Sequence, residues 1–177
     1  MDEDEFAELY ERNFRPLLGY ALRRCASADD AADVVAETFA VAWRRADELP
    51  EGDDARLWLY GAARRVLANH RRGEQRHALR TAALRAELAA VPVRHEPGGS
   101  TVVDVFRRLP EADRELLSLV AWEGLAVPEI ARVLGCSRNA VSIRLHRARK
   151  RFARALRAAG VDDARAARLV AEKGALT

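Results

Sequence analysis

Apolar positions recur every three to four residues through most of the chain. Strict alternation of apolar and polar residues is scarce, so the pattern predicts helices almost throughout. Phe6, Leu9, Tyr10, Phe14, Leu17, Leu18 and Ala21 share one broad face of a first helix. Pro16 is expected to kink that helix or end it near Arg15, because proline has no N–H and its ring crowds the preceding turn. Ser27, followed by Asp29 and Asp30, marks a new helix start, with acids where they favour the helix dipole. Val35, Phe39, Ala42 and Ala46 continue as an apolar stripe with Trp43 beside it, while Asp33, Glu37 and Arg44 point outward. Residues 49–54 (LPEGDD) read as a loop. Trp58, Leu59, Ala62, Val66 and Leu67 begin a third helix that passes into the basic tract 70–76. Residues 77–90 have helical character, but 91–101 are rich in glycine and proline. The span 77–103 therefore reads as a linker with a flexible centre. A second helical unit runs from near Val102 to about Ala159. Gly160 breaks it, and Asp162 to Lys173 suggests one last short helix. The fold class is all-α: two small helical domains joined by a linker.

The most distinctive pattern lies in Leu125–Arg151, LAVPEIARVLGCSRNAVSIRLHRARKR. Ile130, Ala131 and Leu134 form one face of a short helix, with Val133 beside them. Gly135 and Cys136 supply a turn, glycine permitting the left-handed backbone that ends a helix. Ser137 is a good N-cap for a second helix. Val141, Leu145, Ala148 and Phe152 then make one buried stripe. The opposite face carries Asn139, Ser142, Ile143, His146, Arg147 and Lys150, and no acid occurs from Ala131 to Val161. Amide, hydroxyl, imidazole and guanidinium groups on one short basic helix suit the edges of base pairs in a major groove.

Charge changes the picture further. Net charge is only +3, but residues 1–60 hold 15 acids against 7 basic residues, residues 61–86 hold 7 arginines and 1 acid, and residues 132–157 hold 9 basic residues and no acid. Such segregation predicts two partners, one facing an acidic surface and one polyanionic. The composition, 49% hydrophobic and 32% charged over 177 residues, is that of a globular protein. No apolar run approaches the roughly 20 residues that span a bilayer. The acidic start, MDEDEFAELY, lacks the regions of a signal peptide, so a cytoplasmic location is expected. Cys25 and Cys136 lie in no CxxC or Cys/His cluster and read as reduced thiols, with no metal site and no cofactor implied.

Three segments together resemble the extracytoplasmic-function (ECF) group of bacterial sigma factors, within the sigma-70 family. They are DAADVVAETFAVAWRR (Asp30–Arg45), ARLWLYGAARRVLANHRRGEQR (Ala55–Arg76) and RRLPEADRELLSLVAWEGLAVPEIARVLGCSRNAVSIRLHRARKR (Arg107–Arg151). The resemblance implies a sigma region 2 domain over 6–76, the linker 77–103, a sigma region 4 helix-turn-helix domain over 104–159 and a tail over 160–177. It implies that the first segment grips the clamp helices of the polymerase large subunit, with Asp30, Asp33 and Glu37 as charges and Val34, Phe39 and Trp43 as apolar anchors. Phe39 lies on the stripe and reads first as core. The second segment is then the part that melts and reads the minus-ten element, through Trp58, Tyr60, Arg64, Arg65, Asn69, His70, Arg71, Arg72 and Arg76; Trp58 reads as core before it reads as a stacking wedge. The third reads the minus-35 element, base selection falling to Arg138, Asn139, Ser142, His146 and Arg147 and phosphates to Arg144 and Arg149, with Ile143 and Lys150 completing the DNA-binding set. Core polymerase (clamp helices and flap), promoter DNA and, as for many members, an anti-sigma protein are the implied partners of a chain that is monomeric when free.

The chain departs from the family pattern where sequence is read. The family often has asparagine at the position of Arg65 and aspartate at that of Asn69. Asn139-Ala-Val-Ser-Ile-Arg144 replaces a common Gly-Thr-Val-basic-Ser-Arg. A second reading is a dimeric helix-turn-helix repressor or activator, which needs an apolar dimer surface; only the tail from Asp162 to Leu176 offers one. An enzyme is not expected, since no HExxH, phosphate-binding glycine loop or catalytic triad pattern occurs.

Overall fold

The computed structural model describes residues 1–85 and 101–162, and in them the chain is all-α with no strand. It divides into two compact units, Met1–Arg94 and His95–Thr177.

The first unit packs three helices, α1 (Glu3–Leu22), α2 (Ala28–Arg44) and α3 (Asp53–Arg85), with a short 3-10 turn at Ala46–Glu48. A capping box starts α1: the Asp2 carboxylate accepts from the Glu5 N–H, and Glu5 accepts from the Asp2 N–H, both at 2.9 Å. The expected break at Pro16 does not occur, and α1 runs through it to Leu22. Proline deprives the Arg12 carbonyl of its helical N–H partner at a point where Arg12 and Pro16 are both exposed, so the group is not sealed in the core. Burial of Leu17, Tyr20 and Ala21 just beyond holds the following turns. Ser27 caps α2 as expected: its Oγ accepts from the Asp30 N–H at 3.1 Å and donates to Asp30 Oδ2 at 2.6 Å. Val34, Val35, Phe39 and Ala42 of α2 meet Leu57, Leu59, Tyr60, Ala63 and Leu67 of α3 and Leu17 and Tyr20 of α1 in the core. Buried Thr38 donates to the Val34 carbonyl at 2.6 Å, so its hydroxyl costs little there. Helix α3 continues past Arg76 to Arg85, covering the first part of the expected linker. Residues 86–100, its breaker-rich centre, lie outside the described residues, as does the tail helix expected over 162–173 beyond Asp162.

The second unit packs α4 (Thr101–Arg107), α5 (Glu111–Ala121) and α6 (Val127–Leu134) against the long α7 (Arg138–Ala158). Its core is aliphatic, with Phe106 edge-on to both Trp122 (5.3 Å) and Phe152 (5.9 Å). Val102, near which the sequence pattern starts the second helical unit, is buried here, and the first helix of the unit begins at Thr101, within the span 77–103 read as linker. On α6 Val133 is buried and Leu134 half-buried, the reverse of the expected order. Buried Asp113, in the first turn of α5, forms an ion pair with Arg151 of α7 that ties the two helices together.

Candidate functional site

Helices α6 and α7 meet through the turn the sequence predicts. Gly135 ends α6 in the left-handed conformation, φ 64° and ψ 40°. The Cys136 N–H donates to the Ala131 carbonyl at 3.0 Å, and the Gly135 N–H to that of Arg132 at 3.2 Å, closing the helix end. Ser137 then caps α7, its Oγ accepting from the Ala140 N–H at 3.2 Å. Val141, Leu145, Ala148, Phe152 and Leu156 are buried, fixing which side of α7 faces solvent. Arg138, Asn139, Ser142, Ile143, Arg144, His146, Arg147 and Lys150 are all exposed, and Arg149 is half-buried at the edge of the stripe. The structure thus brings the whole upstream set onto one acid-free helix. Arg151 differs, since it is committed to Asp113.

In the first unit a groove of about 840 Å³ runs between α2 and α3. Val34, Val41, Ala62 and Val66 line it, Asp33 and Glu37 stand on the α2 wall, and Arg65, Asn69 and His70 stand on the α3 wall. Sequence reasoning placed these polar residues in two separate sites; here they flank one groove. Glu37 Oε1 accepts from Arg44 at 2.7 Å. Half-buried Asp30 is held by Ser27, with its Oδ1 3.8 Å from His70 Nε2. Asn69 Oδ1 accepts from Arg72 at 2.6 Å, and Arg71 donates to the Arg24 carbonyl at 3.3 Å. Arg64 is exposed beside the groove. The side chain of Arg76 lies outside the described residues. Outside this groove, a hydrogen bond and the charge of Glu48 raise the Arg45 guanidinium above its ordinary pKa.

Several expected site residues are core instead. Val34, though it lines the groove, is 1% exposed, and Phe39, which reads first as core, is 3% exposed, so neither projects as an anchor for a partner. Tyr60 is 3% exposed and packs on the Tyr20 ring at 5.1 Å, so no base can stack on it without unpacking the unit. Trp58 is half-buried. Trp43 is 46% exposed, but it sits edge-on to Phe6 at 5.0 Å, on the α1 side of α2. Six residues from Glu37, it points about 120° away around the helix and lies outside the groove. It belongs to an aromatic cluster with Phe6, Tyr10, Phe14 and Phe39 that the sequence pattern alone does not assemble. The i, i+4 spacings of Phe6, Tyr10 and Phe14, and of Phe39 and Trp43, are its signal.

Among the described residues no group of three or more His, Cys, Asp or Glu is placed so that it could hold a metal ion, and no helix is long and apolar enough to cross a membrane. Cys25 and Cys136 are half-buried, one in each unit.

Similarity to known proteins respects the same division into two units. Residues 9–77 match the family described as Sigma-70 region 2, and residues 101–152 match Sigma-70, region 4. The chain is 30% identical over 171 residues to the RNA polymerase sigma factor NccH of Alcaligenes xylosoxydans xylosoxydans, covering 90% of this chain and 91% of that one. It is 27% identical over 161 residues to the ECF RNA polymerase sigma factor SigL of Mycobacterium tuberculosis, covering 86% and 89%. Among solved structures, CnrH in complex with the cytosolic domain of CnrY aligns with a TM-score of 0.62 at 26% identity, over 89% of this chain and 90% of that one. These matches do not support the alternative of a dimeric repressor or activator, because α1 to α3 match a sigma region and not a dimerisation module. The chain belongs to the sigma-70 family of RNA polymerase sigma factors, in its ECF group.

Proposed function

We propose that this sigma factor docks on core polymerase through the α2 wall of the groove and engages promoter DNA through α3 and α7, without catalysis of its own. Asp33 and Glu37 are exposed on α2 and offer charge to a basic protein surface. Arg64, Arg65, Asn69, His70 and Arg72 of α3 take the minus-ten region, arginines holding phosphates while strands separate. With Tyr60 in the core, stacking of unpaired bases on α3 is left to Trp58 at most. The share of hydrogen bonds and charge in holding the open strand is correspondingly larger. Helix α7 reads the minus-35 element, Asn139, Ser142, His146 and Arg147 meeting base edges and Arg144 and Arg149 the backbone.

The observation that carries this reading is the placement of Asp33 and Glu37 across one groove from Arg65, Asn69 and His70. A polymerase surface seated on α2 would lie directly beside the strand held by α3, so opening would occur against the enzyme that uses the opened strand. The chain is expected to act in the cytoplasm and to be monomeric when free. CnrH was solved in complex with a second protein chain, the cytosolic domain of CnrY, which supports a further protein partner here as well, an anti-sigma protein being the one the family resemblance implies.

Run-off transcription with purified core polymerase tests the proposal. Added to core, the chain should direct initiation from discrete start sites that share two upstream elements. Initiation no more selective than that of core alone would refute it.

A further inference from the structure

Helix α7 carries one side chain that charge and hydrogen bonding do not explain. Ile143 is 45% exposed, the only large hydrophobic residue on the exposed face of this helix. A lone exposed isoleucine is ordinary on most surfaces. Its direction is what sets this one apart. Nine residues separate it from buried Phe152, which at about 100° per residue puts the two half a turn apart. Ile143 therefore lies at the centre of the outward face. Asn139 and Arg147 lie one turn to either side, His146 and Lys150 lie close in angle, and all four are exposed. Arg144 and Arg149 lie toward the flanks, the positions that meet phosphate when a helix enters a groove.

At the centre of such a face a side chain meets the floor of the major groove. Isoleucine has no donor or acceptor, and burying it against a base's polar edge would leave that edge unpaired. Among the four bases only thymine offers an apolar group there, its 5-methyl. We infer that Ile143 is a specificity-determining residue that reads a thymine methyl group in the upstream promoter element. The inference rests on the reading of α7 as the helix that binds that element, and it names one chemical group the element must contain. Asn139 and His146, on adjoining turns, then read the neighbouring base pairs through hydrogen bonds.

Replacing thymine by uracil removes that methyl and nothing else. The test is competition binding by holoenzyme assembled from the full chain, on a duplex carrying the upstream element selected by the wild type. Each thymine of the element is replaced singly by uracil. One replacement should weaken wild-type binding about fourfold, the effect of losing one buried methyl-sized group. In Ile143→Ser, which changes only an exposed position and should keep its helicity, the same replacement should have no effect. Restoring a methyl at that position with 5-methylcytosine in place of cytosine should recover part of the affinity for the wild type alone. A selected element without thymine, a wild type indifferent to uracil at every position, or an unchanged uracil penalty in Ile143→Ser would each overturn the inference. If Asn139→Ala still alters base preference in those cases, the role of α7 stands and only the methyl reading falls. If neither variant alters preference, the reading of α7 itself falls with it.

Discussion

The exposed residues of α7 differ in what they are able to recognise. Asn139 presents an amide donor and acceptor near the start of the helix, on the side away from Phe152. Arg144 projects from the flank, where its charge meets a phosphate whatever the sequence. Asn139→Ala should therefore cost about 1–3 kcal/mol on the preferred upstream element and relax preference at one or two positions. Arg144→Ala should weaken binding to all sequences alike and lower the salt dependence by about one phosphate contact. Binding-site selection combined with a salt titration checks both, and a loss of base preference in Arg144→Ala would reverse the assignment. At this scale the sequence is legible where a single periodicity decides the matter, as with Val141, Leu145, Ala148 and Phe152. It is not legible where neighbours in sequence compete for the inside. Trp58 and Tyr60 are two residues apart, and only the packing of Tyr60 on Tyr20, about 40 positions earlier, decides which is core. The family resemblance makes Val34 and Phe39 anchors for a partner, while the stripe already puts Phe39 in the core; Val34 lies at the stripe's edge, where a small rotation of the helix decides the side.

Elements depend on a few local devices, and the turn between α6 and α7 is the clearest. Gly135 holds a positive φ, yet a Cβ built on it would meet no atom within 4 Å. The cost of a side chain there is thus backbone strain alone. Gly135→Ala should destabilise the second unit by about 1–2 kcal/mol, and Gly135→Asn by less, because asparagine tolerates the left-handed region. Urea unfolding followed by circular dichroism measures the difference. Equal stability of Gly135→Ala and wild type would mean the turn relaxes to another geometry. The same local logic misleads at Pro16. The rule that proline breaks a helix interior assumes that the lost bond and the displaced carbonyl are costly, and on the exposed face of α1 they are not. The next turns bury Leu17, Tyr20 and Ala21, and at about 25 cal/mol per Å² that burial outweighs one missing hydrogen bond. The helical character of residues 77–90 shows in α3, which runs on to Arg85 through Gly73, a position where a Cβ would meet no atom within 4 Å and glycine costs the helix only about 1 kcal/mol.

On the scale of the whole molecule the sequence reveals its charge segregation but not where the charges meet. Asp33 and Glu37 precede Arg65 and Asn69 by about 30 residues, and only the packing of α2 against α3 places them on one groove. The two walls should still be separable in function, because a protein surface and a melted strand make different demands. Asp33→Lys with Glu37→Lys reverses the acidic wall and sets a lysine beside Arg44, the present partner of Glu37. Helicity should persist, since both positions are exposed, while affinity for core polymerase falls by an order of magnitude or more in titration. Arg65→Ala with Asn69→Ala leaves the acidic wall intact and frees Arg72 from its hydrogen bond to Asn69. That variant should assemble with core normally and bind the upstream element normally, but open promoters poorly, with fewer permanganate-reactive thymines across the minus-ten region. The defect should shrink on a template already unpaired there, because unstacking, which costs a few kcal/mol per base, no longer has to be driven by contacts to α3. An equal defect on duplex and pre-melted templates would assign Arg65 and Asn69 to a step other than opening. Loss of core affinity in the same variant would instead make the groove a single protein-docking surface, with its basic wall facing polymerase as well.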